Sequence, residues 1–138
     1  MNAALLDTGP LVALFAPDDV AHTHYRELLH DERDGWHLTS TWPCVVEASH
    51  CLPAPARWQM LRWVEQGGVS IFPFDPVHLE DMLALMQQYT DNRRTQMDFA
   101  DATLVWAATE TAITQVWTID VRDFYRYRLP DGRAFEIL

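Results

Sequence analysis

The chain has 138 residues, the length of one domain able to bury a sizeable core. Its 49% hydrophobic share is that of a soluble globular protein, and no apolar run reaches the roughly 20 residues of a membrane helix. The formal charge of −10, from 20 acids against 10 basic residues, argues against a phosphate-rich partner, because such binding is driven by Lys and Arg.

The first residues, "MNAALLDTGPL", carry no basic region followed by a long apolar stretch and a cleavage site, so the expected location is the cytoplasm. Within them "AALL" (3–6) reads as a short buried strand, stopped by "DTGP", whose proline suits a helix start. A mostly polar helix is expected from Asp19 to Glu32, and "WHLT" (36–39) reads as a second strand after Gly35. The stretch 40–52 opens with cap candidates Ser40 and Thr41 and has Pro43 in its first turn, which predicts a helix ended by Pro53 and Pro55.

Residues 56–68 form another expected helix, closed by a glycine pair, and "VSIFPF" (69–74) an expected strand. In 76–89, Leu79, Met82, Leu83 and Met86 recur at helical spacing and belong to a core. After the polar loop "TDNRRTQ", a helix is expected over Met97–Glu110, then strands at 114–120 and 132–138. Strands alternating with helices predict an α/β sandwich around a largely parallel sheet, with 1–138 as a single domain. Cys44 and Cys51 lie seven residues apart on one expected helix, about 10 Å along its axis, which favours two reduced thiols over a disulfide.

Two acids follow strands: Asp7 after "AALL" and Asp120 after "VWTI". In open parallel sheets ligands bind beyond the carboxyl ends of the strands, so both point to the default site, although each also suits a turn or a helix cap. Glu47 has Cys44 and Cys51 at helical spacing and is expected on or beside an apolar face, where an ionised carboxylate needs a partner or a metal. Asp101, with Leu104, Val105 and Ala108 at i+3, i+4 and i+7, has the same requirement in sharper form. Asp98 reads more readily as the helix N-cap than as a ligand. Gathered in one crevice, such acids repel one another, and oxygen-only ligation points to Mg²⁺ or Mn²⁺.

These residues carry a resemblance. "LLDTGPLVAL" (5–14), "LTSTWPCVVEASH" (38–50), "MDFADATLVWAATE" (97–110) and "WTIDVRDFYRYR" (117–128), followed by "GRAFEIL", resemble in order the PIN-domain ribonucleases, specifically the VapC-like toxins of toxin–antitoxin pairs. The resemblance implies a three-layer α/β/α sandwich with a central, mainly parallel sheet. It implies Mg²⁺- or Mn²⁺-dependent cleavage of RNA, a cognate VapB-like antitoxin and a homodimer. The family's metal-binding, catalytic acids fall on Asp7, Glu47, Asp101 and Asp120; Thr8 and Thr118 fall at nearby hydroxyl positions, and Asp98 and Asp123 are auxiliary acids.

All 10 basic residues are arginine. Arg93 and Arg94 before the acid-bearing helix, and Arg122 and Arg126 after the last strand acid, are expected either to meet RNA phosphates or to balance local acids. The absence of lysine, with Gly9 where a second acid would be needed, disfavours phosphoaspartate receivers and phosphatases. A PIN-fold binding module without catalysis and a structure-specific DNA nuclease are the remaining alternatives. The single Glu47-x-x-His50 pair, and His22 with His24, are weak signals for a transition metal.

Overall fold

The chain runs first through the middle of its own sheet. The computed structural model describes residues 2–31, 33, 35–92 and 95–138. Strand β1 (Asn2–Leu6) leads into α1 (Thr8–Phe15) and α2 (His22–Leu29), then β2 (Trp36–Ser40), α3 (Trp42–Cys51), α4 (Ala56–Glu65) and β3 (Ser70–Ile71). A 3₁₀ turn (Pro76–His78) opens α5 (Leu79–Gln88), and α6 (Phe99–Thr111), β4 (Gln115–Trp117), α7 (Val121–Arg126) and β5 (Glu136–Ile137) complete it. The sheet order is β3-β2-β1-β4-β5, and every pairing is parallel.

Strand β1 is a nearly continuous apolar run because both faces of the sheet are covered. Its side chains alternate between two cores. Ala4 and Leu6 join Leu11, Leu14, Val45 and Trp117 under α1–α4, whereas Leu5 joins Leu104, Val105, Val116 and Phe124 under α5–α7. The result is a three-layer α/β/α sandwich with a central parallel sheet, as the sequence predicts.

Helix α6 is buried at every position from Ala100 to Ala108, so it has no polar face. A helix apolar all round is one packed on all sides, and its alanines let it lie close against its neighbours. Ala112, at φ +62°, takes the left-handed position that ends it.

Several elements are shorter than the sequence suggests. The expected strands at 69–74 and 132–138 are regular only over Ser70–Ile71 and Glu136–Ile137, with one further backbone bond each, from Phe72 to the Ser40 carbonyl and from Leu138 to the Val116 carbonyl. The helix expected from Asp19 begins at His22, and the one expected from Met97 begins at Phe99 because Asp98 is its cap. Helix α7 is an addition: its six residues are too few to show a period. Cys44 is buried, Cys51 is exposed, and both are free thiols. No helix among the described residues is long and apolar enough to cross a membrane.

Candidate active site at the carboxyl edge of the sheet

The strand order reverses direction between β1 and β4, and there the chain leaves both strands on acids. This is the switch point at which open parallel sheets form a crevice. The backbone N–H of Asp7 still donates to the Trp117 carbonyl at 3.0 Å, so the β1–β4 ladder reaches the edge of the crevice.

Asp7 caps α1. Its Oδ1 accepts from the Thr8 backbone N–H at 2.8 Å and its Oδ2 from the Thr118 hydroxyl at 2.8 Å. It is buried, and burial above all pushes its pKa up to about 6; the bonds from Thr118 and Thr8 oppose this, while Asp98 and Glu47 add to it. The Thr118 hydroxyl in turn accepts from the Asp120 backbone N–H at 3.0 Å, fixing the turn that presents Asp120. The Tyr25 hydroxyl donates to the carbonyls of Thr118 and Leu138, at 3.1 and 3.0 Å, and clamps the same turn from below.

Asp101 lies in the first turn of α6 and is 7% exposed, a carboxylate almost enclosed. Its Oδ2 accepts from the Tyr127 hydroxyl at 2.8 Å. Burial, then the charges of Asp7 and Asp98, push its pKa up to about 8 against that hydrogen bond. Asp98 is the N-cap: its Oδ1 accepts from the Asp101 backbone N–H at 2.8 Å. It adds negative potential from an exposed position.

Carboxylate oxygens of Asp101, Asp120 and Asp123 lie within 4.8 Å of one another. Asp120 is held above the usual carboxylate range by partial burial and then by Asp123. Asp123, placed among the auxiliary acids by resemblance, is thus a member of the tightest acid group. The spacing Asp120 to Asp123 over one turn of α7 accounts for this, a helix the sequence reading lacks.

Glu47 lies beside the apolar face of α3, not on it. It is exposed, because α3 turns Cys44, Val45 and Ala48 inward and leaves the glutamate outward. It remains at the site's rim, where its Oε2 accepts from the Thr8 hydroxyl at 3.2 Å, and its charge reaches Asp7. The buried Thr41 hydroxyl bonds that of Thr103 at 2.6 Å, and Thr103 donates to the Ala100 carbonyl at 2.7 Å, tying the entrance of α3 to the first turn of α6. Neither His22, His24 nor His50 belongs to a metal-ligating group among the described residues.

The arginines divide. Arg126 is engaged by its own protein, donating to the Tyr89 carbonyl at 3.0 Å and facing Asp91 at 3.9 Å. Arg122 is exposed on α7, and its side chain has no hydrogen bond or ion pair with a described residue. Arg93 and Arg94 lie outside the described residues. The ion pairs among the described residues are Arg126–Asp91 and Arg133–Asp131, so none of the crevice acids has a cationic partner within that set.

What the sequence reading missed most is Tyr127. It is the C-cap of α7, with extended backbone, and its bond to Asp101 spans 26 residues, so no local spacing signals it.

Solved structures share this architecture. A toxin–antitoxin complex from Klebsiella pneumoniae aligns with a TM-score of 0.62 at 18% identity, over 98% of this chain and 95% of that one. VapC20 of Mycobacterium tuberculosis, a Sarcin-Ricin loop cleaving toxin, aligns at 0.70 with 14% identity over 86% and 90% of the two chains. FitAcB from Neisseria gonorrhoeae aligns at 0.57 with 20% identity over 96% of each. No family model and no curated protein matches the chain. The fold is therefore that of an acid-edged parallel α/β/α sandwich. Within that class it is a VapC-like PIN fold.

Proposed function

We propose that the chain is a metal-dependent endoribonuclease, the toxin of a toxin–antitoxin pair, acting in the cytoplasm as a single PIN domain over residues 1–138. One observation carries this reading: buried or half-buried aspartates from three separate segments meet at the sheet's switch point with raised pKa values and no cationic partner among the described residues. Such a group is costly unless a cation compensates it. An all-oxygen donor set fits Mg²⁺ or Mn²⁺.

Asp101, Asp120 and Asp123 would hold the cation, with Asp7 and Glu47 adjoining. When bound, the ion supplies a nucleophile from water at neutral pH and stabilises the leaving oxygen of a phosphodiester. The chain's own residues prepare the site. Thr8 and Thr118 hold both oxygens of Asp7, Tyr127 holds one oxygen of Asp101, and α6 shuts water out from behind. Arg122, exposed two residues after Asp120, is the arginine we assign to a substrate phosphate. Arg126 has less freedom to do so.

The partners proposed are RNA, a VapB-like antitoxin and a second copy of the chain. The acidic surface suits a basic antitoxin segment. The test is cleavage of RNA by the purified protein with Mg²⁺ or Mn²⁺, its loss with EDTA, and its loss in Asp7→Asn and Asp101→Asn variants that remain folded. Full activity in both variants would defeat the assignment. Nucleic-acid binding without cleavage would favour a binding module, and cleavage restricted to structured DNA would favour a DNA nuclease.

A further inference from the structure

We infer that Tyr127 is a positioning residue for divalent-cation binding: its hydroxyl fixes the Asp101 carboxylate so that one oxygen is committed and the other is free for the ion. The inference rests on the metal-dependent reading above. Tyr127 is fully buried, an unusual place for a phenol unless its O–H has a partner. That partner is Asp101 Oδ2, at 2.8 Å. Asp101 Oδ1 accepts no hydrogen bond from a described residue, and the carboxylate shares its surroundings with Asp120 and Asp123.

The ring cannot swing away. It packs edge-on against Phe124 and Tyr89, each with ring centres 5.1 Å away, and Phe135 backs Phe124 at 5.4 Å. Tyr89 is itself fastened to α7 through its backbone: its carbonyl accepts from Arg126 at 3.0 Å. The hydroxyl of Tyr127 is therefore delivered to Asp101 by a rigid aromatic stack that joins α5, α7 and the chain beyond it.

The chemistry of the donor matters. An arginine or lysine at this place would neutralise Asp101 and compete with a cation for it. A phenol is neutral and has one proton to give, so it restrains the carboxylate and leaves its charge unspent. Hydrogen-bond partners of ligating carboxylates set ligand orientation, and their loss typically costs about 10- to 100-fold in metal affinity.

The experiment compares Mn²⁺ binding to the full chain and to its Tyr127→Phe and Tyr89→Phe variants, with free Mn²⁺ read by electron paramagnetic resonance. Tyr127→Phe keeps the ring packing and removes only the hydroxyl. Its Kd for Mn²⁺ should weaken by about 10-fold or more, with RNA cleavage at saturating Mn²⁺ reduced in kcat at unchanged KM. Tyr89→Phe, whose lost hydroxyl touches only Arg128, should bind Mn²⁺ as the unaltered protein does. Unchanged affinity in Tyr127→Phe, or an equal loss in Tyr89→Phe, would overturn the positioning role while the nuclease reading stood. Absence of Mn²⁺ binding by the unaltered protein would overturn both.

Discussion

Thr118 and Asp7, 111 residues apart in sequence, share a buried hydrogen bond of 2.8 Å in which the threonine hydroxyl donates to the carboxylate. It joins the ends of the two central strands at the point where the crevice opens. Replacing the hydroxyl with a methyl group in Thr118→Val leaves a buried carboxylate oxygen without a donor. The expected cost is about 1–3 kcal/mol. It should show as a lower midpoint in urea denaturation, and cleavage per folded molecule should fall because the turn that presents Asp120 loses its anchor.

Stability without metal should fall as pH rises. Asp7 is raised to about 6 and Asp101 to about 8 in the folded chain, above the unfolded value of about 3.9. Between those limits the folded state therefore holds protons that the unfolded state has released, and folding weakens with increasing pH. The stabilisation is complete below about pH 4 and is lost as pH passes through the folded values. Melting temperature in EDTA should decline from pH 5 to pH 8. Mn²⁺, which binds the ionised carboxylates of the folded state, should restore it most at the upper end.

Gly68 tests the scaffold apart from the site. A Cβ there would meet the Trp63 indole at 2.1 Å, and Trp63 packs in turn on Phe15 at 5.6 Å between ring centres. Trp63 is half-buried, so relief requires the indole to give up its packing on Phe15. Gly68→Ala should destabilise the protein by about 1–3 kcal/mol through overpacking, measured by chemical denaturation, with cleavage per folded molecule unchanged.

Arg122 and Arg126 should differ. Arg122→Ala is expected to weaken RNA binding and to reduce the steepness of its salt dependence by about one phosphate contact. Arg126→Ala removes the bond to the Tyr89 carbonyl, so its main effect should be on stability. Binding isotherms at several salt concentrations distinguish the two.

The sequence was most informative where local chemistry and tertiary demand agree. "AALL" reads as a buried strand because an apolar run followed by Asp-Thr-Gly-Pro suits little else, and β1 forms there. Asp98 reads as a cap and is one. The orientation of Glu47 was illegible because the roll of α3 is set by its packing on α1 and α6, beyond the reach of helical spacing. The terminal strand was overestimated because "GRAFEIL" has strand composition, whereas the pairing with β4 begins only at Glu136. The bond from Tyr127 to Asp101 links two helical segments through their side chains alone, and no local pattern encodes it.

The central position of β1 has a consequence for how the protein comes into being. Its register with β4 joins Leu5 to Val116 and Leu6 to Trp117, among the longest-range pairings in the chain. Before β4 docks, Asp7 lacks the Trp117 carbonyl for its amide and the Thr118 hydroxyl for its carboxylate, and Asp120 is nowhere near Asp101. Non-local pairings of this kind are the slow steps of folding. A chain still being synthesised therefore presents Asp7 and Glu47 before the residues that complete the acid group exist, and the Asp7 environment is finished only when β4 pairs with β1.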